Sequence, residues 1–299
     1  MINLVIVGTI GLDDVETPFG KVESILGGSA AYASCAASFF AKSGIVSIVG
    51  EDMPKTDMVI LDKRGVDLTG VVTQGKTFRW GGSYEYDMSS ATTLKTELNS
   101  LADFNPKLSD EYRKAKFLFL GNIDPSLQLD VISQMENSPF IALDTMNYWI
   151  SSQREKLIEV IGKVNLVVIN EGEARQLFDT PNLIRAGKML LDLGPDYVVI
   201  KKGEHGALLF SKSGFFSAPG YPLETVKDPT GCGDSFAGGL IGYLAQKGTI
   251  DDETMRKAVV YGSTIASFCA EDFSLNYLKN INQNEIEERY NEFEEIRRF

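Results

Sequence analysis

Asp228-Pro229-Thr230-Gly231-Cys232-Gly233-Asp234-Ser235-Phe236-Ala237-Gly238-Gly239 joins a glycine turn, a carboxylate and the start of an apolar helix. Gly231 and Gly233 carry no Cβ, so successive backbone N–H groups can converge on an anion at a helix N-terminus, where the helix dipole also favours negative charge. Asp234 falls in the first turn, beside that anion. A carboxylate there repels a phosphate unless it takes a proton from the group attacking it, as a catalytic base does in phosphoryl transfer. The same residue also reads as an N-capping aspartate after a loop. The stretch alone leaves both readings open.

Outward from it, short apolar runs alternate with helical patterns, the signature of βα units and a mostly parallel sheet. The clearest strands are Leu4 to Val7, Ile45 to Val49, Phe117 to Leu120, Phe140 to Leu143, Leu166 to Ile169 and Tyr197 to Ile200. Helices are expected over Ser29 to Lys42, Asp57 to Arg64, Pro125 to Glu136, Gln153 to Gly162, Ser235 to Gln246 and Glu253 to Ala270. Four strands run into Gly121-Asn122, Asp144-Thr145-Met146-Asn147, Asn170-Glu171-Gly172-Glu173 and Lys201-Lys202-Gly203. Ligands of open parallel sheets bind at the carboxyl ends of strands, so these tips should line one crevice.

One region departs from this rhythm. From Phe78 to Met88, even positions carry aromatics, a glycine and methionine, while odd positions are polar or glycine, a period of two that predicts a strand with one apolar face. With Leu12 to Ile25 it would form a small projecting sheet, read as a lid over the substrate; a subunit contact and plain core packing are the alternatives. In the tail, Ile286, Tyr290, Phe293 and Ile296 recur at helical spacing and should pack back on the body.

Composition narrows the chemistry. The 299 residues are 43% hydrophobic, enough for a large core in one or two domains. With 29 basic against 41 acidic residues the net charge is -12, which argues against nucleic acid or an anionic membrane as partner. Cys35, Cys232 and Cys269 show no zinc or disulfide spacing, and the first residues read as a buried strand without a basic leader, so a cytoplasmic protein is expected. His205 is the sole histidine and lies in a glycine-rich turn, which disfavours Ser–His–Asp hydrolysis and multi-histidine metal sites.

A second glycine motif is a decoy. Gly70-Val71-Val72-Thr73-Gln74-Gly75-Lys76-Thr77 matches the P-loop pattern, but a P-loop must leave a buried strand and open a helix, and this run enters the aromatic strand instead. It reads as a turn between two lid strands with Gly75 at the bend. Gly8-Thr9-Ile10-Gly11 echoes a dinucleotide fingerprint without its third glycine or helix.

Asp228 to Gly239 resembles the second signature of the ribokinase-like PfkB kinases, and Gly27-Gly28-Ser29-Ala30-Ala31 the glycine pair of the first, with Asn170-x-x-Glu173 between them. The resemblance implies an α/β fold, three α/β/α layers around a doubly wound, mostly parallel sheet, as one domain over residues 1–299 with a lid at about 12–26 and 70–90. It implies that Asp234 deprotonates a substrate hydroxyl while the amides of Gly231, Cys232 and Gly233 form the anion hole. Asp13, Gly27, Gly28, Tyr32 and Trp80 would meet the substrate, although Asp13 also suits a plain turn. Asn170, Lys201, Gly203, Gly206 and Asp228 would face ATP. Asn170 and Glu173 would organise Mg²⁺ through water, a turn asparagine and a surface glutamate being the alternatives. A monovalent cation and a homodimer through the lid are compatible with the family.

There are departures. Sugar kinases of the family commonly have Asn where this chain has Tyr32, which puts ribose in doubt and leaves room for a nucleoside base stacked on Trp80, Tyr84 or Tyr86. Cys232, at a helix N-terminus, is expected either to have a lowered pKa or simply to be a small residue tolerated in the turn. The expected activity is transfer of the ATP γ-phosphate to a primary hydroxyl of a sugar or ribonucleoside. The rival is a non-catalytic nucleotide- or sugar-binding regulator on the same fold.

Overall fold

A computed structural model describes residues 2–298. Strand β1 (Leu4–Val7) leads into a hairpin, β2 (Gly11–Thr17) and β3 (Gly20–Gly27), followed by α1 (Ser29–Ala37), β4 (Ser43–Val49), α2 (Lys55–Lys63) and β5 (Asp67–Thr73). A second hairpin, β6 (Phe78–Tyr84) and β7 (Ala91–Glu97), precedes β8 (Phe117–Leu120), α3 (Pro125–Gln134), β9 (Phe140–Asp144), α4 (Asn147–Ser152) and α5 (Arg154–Ile161). Then come β10 (Leu166–Asn170), α6 (Glu171–Phe178), α7 (Leu183–Asp192), β11 (Tyr197–Lys201), β12 (Ala207–Ser211) and β13 (Gly214–Ala218). Three helices close the chain: α8 (Cys232–Lys247), α9 (Asp252–Ala270) and α10 (Gln283–Ile296).

The main sheet runs β13-β12-β11-β10-β9-β8-β1-β4-β5, parallel from β11 to β5 and antiparallel at β12 and β13. The chain winds outward from β1 to β4 and β5, then returns to β8 and continues the other way, so the topological switch lies between β1 and β8. Both faces are covered, which is why the central strands read as unbroken apolar runs. In β1, Leu4 and Ile6 enter one core while Val5 and Val7 enter the other. Helices α1, α8 and α9 cover the first face, and α3, α5, α6 and α7 the second. Every residue of α1 is buried, and its alanines let it lie between the sheet and α8.

The second sheet has the order β3-β2-β6-β7, with β2 parallel to β6 and both outer pairs antiparallel. Strand β6 forms within the stretch of period two, but burial does not alternate along it: Phe78, Trp80 and Tyr84 are half-buried, as are Arg79 and Ser83, and Gly81 and Gly82 are buried; the strand ends at Tyr84, and Tyr86 beyond it is 87% exposed. The lid bounds need one correction. Residues 70–73 belong to β5, paired with β4 at the edge of the main sheet, and the second sheet instead extends through Glu97. The P-loop-like run therefore links the two sheets: Gly75 turns at φ 66°, no helix follows, and Asp52 Oδ1 accepts from Thr77 N at 2.7 Å and Thr77 Oγ1 at 2.8 Å. In α10, Ile286 and Phe293 are buried and Tyr290 stacks on Tyr261 at 4.0 Å, while Ile296 faces outward.

Candidate active site

The turn before α8 is fixed from several sides. Asp228 is fully buried; its Oδ1 accepts from Thr230 N at 2.8 Å, and its own N–H donates to Ala270 O at 3.2 Å. Gly231 follows in the left-handed conformation, φ 74°, as N-cap of α8. A Cβ there would lie 2.4 Å from the Tyr32 ring, so both the backbone angle and the packing demand glycine. Cys232 N donates to Pro229 O at 3.2 Å and thus closes the turn. Among the described residues, the Gly231 and Gly233 amides have no recorded acceptor, so two of the three expected anion-hole donors are free.

Asp234 lies in the first turn of α8. Burial and the Asp144 carboxylate push its pKa up to about 7, against the lowering effect of Lys201. Lys201, at the tip of β11, places Nζ 2.8 Å from Asp144 Oδ2 at the tip of β9. A Cβ on Gly233 would lie 3.0 Å from that Nζ, so the ammonium faces the head of α8. Burial works against the charge on Lys201, but Asp144, Glu173 and Asp234 outweigh it and raise its pKa.

Asn170 and Glu173 form a capping box on α6. Asn170 Oδ1 accepts from Glu173 N at 2.8 Å, and Glu173 Oε2 accepts from Asn170 N at 2.9 Å. Burial and Asp144 raise the Glu173 pKa to about 7, with Lys201 opposing. No cluster of three or more metal-ligating His, Cys, Asp or Glu residues occurs among the described residues.

Asp13 comes from β2, in register with Trp80 of β6. It is 3% exposed, and a Cβ on Gly27 would lie 1.9 Å from its Oδ2, so the carboxylate lies directly over that glycine. Burial, then Asp228, Asp234 and Asp14, push its pKa up to about 8. Gly28 caps α1 at φ 95°, and Ser29 Oγ receives the Thr9 amide at 3.1 Å. Trp80 folds along its own strand over Gly82 and donates Nε1 to Thr93 Oγ1 at 3.3 Å. Tyr32 is 1% exposed beneath Gly231, its Oη buried without a partner. Gly203 and Gly206 shape the turn from β11 to β12, with φ 56° and 82°.

Cys232 departs from the lowered-pKa reading. Its thiol is hydrogen-bonded to that of Cys269 and half-buried, near Asp228 and Asp234, and these effects raise its pKa well above the ordinary value; they override the helix dipole. Asp144 was legible only as a polar strand tip, and its pairing with Lys201 was not expected. The same holds for Trp149, whose Nε1 donates to Asn122 Oδ1 at 2.8 Å across the tips of β8 and β9. Gly231, Gly233, Asp234, Lys201, Asp144 and Glu173 converge at the strand tips and the head of α8, and Asp13 couples electrostatically to Asp234.

The doubly wound sheet with its small second sheet is a ribokinase-like fold, and a partly buried carboxylate stands beside two free amides at the head of α8. The chain belongs to the family described as pfkB family carbohydrate kinase, which matches residues 5–280. It is similar to cytidine kinase of Thermococcus kodakarensis, 32% identical over 251 residues, covering 81% of this chain and 89% of that one. Its fold matches the crystal structure of Methanocaldococcus jannaschii nucleoside kinase at TM-score 0.77 and 18% identity, covering 97% of this chain and 99% of that one. A putative ribokinase II from Escherichia coli, solved with ATP and Mg²⁺, matches at TM-score 0.77 and 19% identity, covering 98% and 100%. The chain is a sugar or nucleoside kinase of this family.

Proposed function

We propose that the protein is an ATP-dependent ribonucleoside kinase that phosphorylates the primary hydroxyl of the sugar, with Asp234 as base. The observation that carries this reading is Asp234, raised to about 7, beside the unpartnered amides of Gly231 and Gly233 at the head of α8. A base titrating near neutrality combines a useful deprotonated fraction with enough driving force to take a hydroxyl proton. Asp13 over Gly27 binds hydroxyls of the alcohol, and the Gly231 and Gly233 amides stabilise the charge that develops on the transferred group. Tyr32 packs in the core beneath Gly231 and offers no ring to a substrate, so the aromatic face of β6 and similarity to a cytidine kinase favour a nucleoside; cytidine is the first substrate to try.

The donor set fits ATP and Mg²⁺. The opening between Gly233 and Lys201 is one a Cβ would fill, and Lys201 suits phosphate oxygens, with Asn170, Gly203 and Gly206 on the nucleotide side. Asn170 and Glu173 would hold Mg²⁺ through water, with Asp144 adding charge; bound there, the ion would neutralise phosphate charge. Asp228 Oδ2, buried without a partner, suits a monovalent cation. A homodimer through the second sheet and a cytoplasmic location belong to the same reading: Leu94 and Tyr86 are exposed on that sheet and its loop, and all three cysteines are free. No described helix is long and apolar enough to cross a membrane.

The test is ATP turnover across nucleosides, pentoses and hexoses, comparing wild type with Asp234→Asn. Turnover that needs an alcohol and falls in the variant supports the reading. Equal turnover in both removes the base assignment, and nucleotide binding without turnover in wild type would favour the regulator.

A further inference from the structure

We propose that Tyr84 is a positioning residue joining the alcohol site to the anion loop, its phenol oxygen accepting from Thr230 while its own proton is offered to the bound alcohol. The inference rests on the kinase reading above and names a residue through which that site is completed.

The even positions of β6 share the face that carries Trp80, which is in register with Asp13. Glu16 pairs with Ser83, so Thr17 and Tyr84 follow side by side, and both reach the loop before α8. Thr17 Oγ1 donates to Lys227 O at 3.0 Å, and Thr230 Oγ1 donates to Tyr84 Oη at 3.2 Å. Ser274 Oγ, in the segment after α9, separately donates to Leu26 O of β3 at 2.5 Å. Through Thr17 and Tyr84 the second sheet is thus fastened to the same loop that orders the anion site.

Thr230 is held at each of its polar groups. Its N–H donates to Asp228 Oδ1 at 2.8 Å, its carbonyl accepts from Cys269 Sγ at 3.6 Å, and its hydroxyl donates to Tyr84. The free amides lie one and three residues further on. Because Tyr84 accepts in this contact, its own O–H has no recorded acceptor among the described residues. The hydroxyl lies within electrostatic reach of Asp228, Cys232 and Asp13. An alcohol seated on Asp13 therefore meets a phenol proton ready to donate. Hydrogen bonds in a chain polarise one another, so the contact strengthens Thr230's hold on Tyr84 and fixes the amides of Gly231 and Gly233. Occupancy of the alcohol site is thereby felt by the anion site.

Tyr84→Phe and Thr230→Val keep the ring and the β-branch and each removes one hydroxyl; thermal midpoints verify that both fold. With cytidine, or whichever alcohol wild type turns over, Tyr84→Phe should lower kcat/KM about tenfold, the scale of one lost hydrogen bond. Thr230→Val should lower kcat and leave the alcohol KM unchanged, and the double variant should be no worse than Tyr84→Phe. Wild type should bind a non-hydrolysable ATP analogue more tightly with the alcohol present, and both variants should lose that enhancement. Additive losses, or an enhancement retained in either variant, overturn the inference while leaving the kinase reading intact. Absence of phosphoryl transfer by wild type removes the reading and the inference with it. Should Tyr84→Phe fail to fold, Thr230→Val and its binding measurement decide.

Discussion

The Lys201 ammonium lies 2.8 Å from the Asp144 carboxylate on one side and against Gly233, at the head of α8, on the other. One cation therefore balances the carboxylates of Asp144, Glu173 and Asp234, and any change to it is felt by the base. Lys201→Met removes a charge that holds Asp234 down, so the acid limb of kcat/KM should move to higher pH. Asp144→Asn removes a charge that raises Asp234, so the limb should move to lower pH. Opposite shifts in pH–rate profiles would verify the arrangement; shifts of the same sign would contradict it.

In the wild-type enzyme, Asp234 must be deprotonated to act. Its pKa of about 7 places the acid limb of kcat/KM near neutrality, with activity rising as pH increases through that value. Asp234→Asn should lose about 10²–10⁴-fold in kcat, the usual contribution of general base catalysis, and still bind ATP. Steady-state kinetics and calorimetry separate the two effects.

Asp13 gives the opposite sign for stability. Folded, its carboxyl titrates at about 8, against an ordinary 3.8. Between these values the folded chain holds a proton that the unfolded chain has released, so stability falls as pH rises across this window. The thermal midpoint should decline from pH 5 to 8, and Asp13→Asn should flatten the slope. A midpoint that rises over that range would refute the assignment.

Gly27 admits no larger residue while Asp13 keeps its place. Gly27→Ala puts a methyl where the carboxylate lies and should raise the KM for the alcohol about tenfold or more, as expected when one polar contact is displaced, with the KM for ATP nearly unchanged. Equal loss for both substrates would point to a general collapse of the site.

The Cys232 thiol is held protonated by the thiol of Cys269, by burial and by neighbouring carboxylates. Alkylation at pH 7.5 should be slower than that of a free cysteine, and bound nucleotide should change the rate little. Fast labelling located at Cys232 by mass spectrometry would overturn this.

The sequence made some of this legible and hid the rest for physical reasons. Strands buried on both faces, such as Leu4–Val7 and the first four residues of β10, leave an unbroken apolar run and could be read directly. β5 could not, because Asp67–Thr73 is a half-exposed edge containing Gly70, and its pairing with β4 is a long-range choice. Asn170-x-x-Glu173 shows how one spacing serves two purposes, since the offset that suits metal-bound water is also that of a capping box. The Asp144–Lys201 pair spans 57 residues and depends on strand order, which no local pattern encodes.

Trp80 and Trp149 are the chain's two tryptophans, one on the second sheet beside Asp13 and the other bridging the tips of β8 and β9. Their indoles differ in surroundings and in hydrogen-bond partner, so the protein carries two intrinsic fluorophores on separate structural units. Replacing either by phenylalanine isolates the other's emission. Stopped-flow mixing can then time events at each sheet without an attached dye.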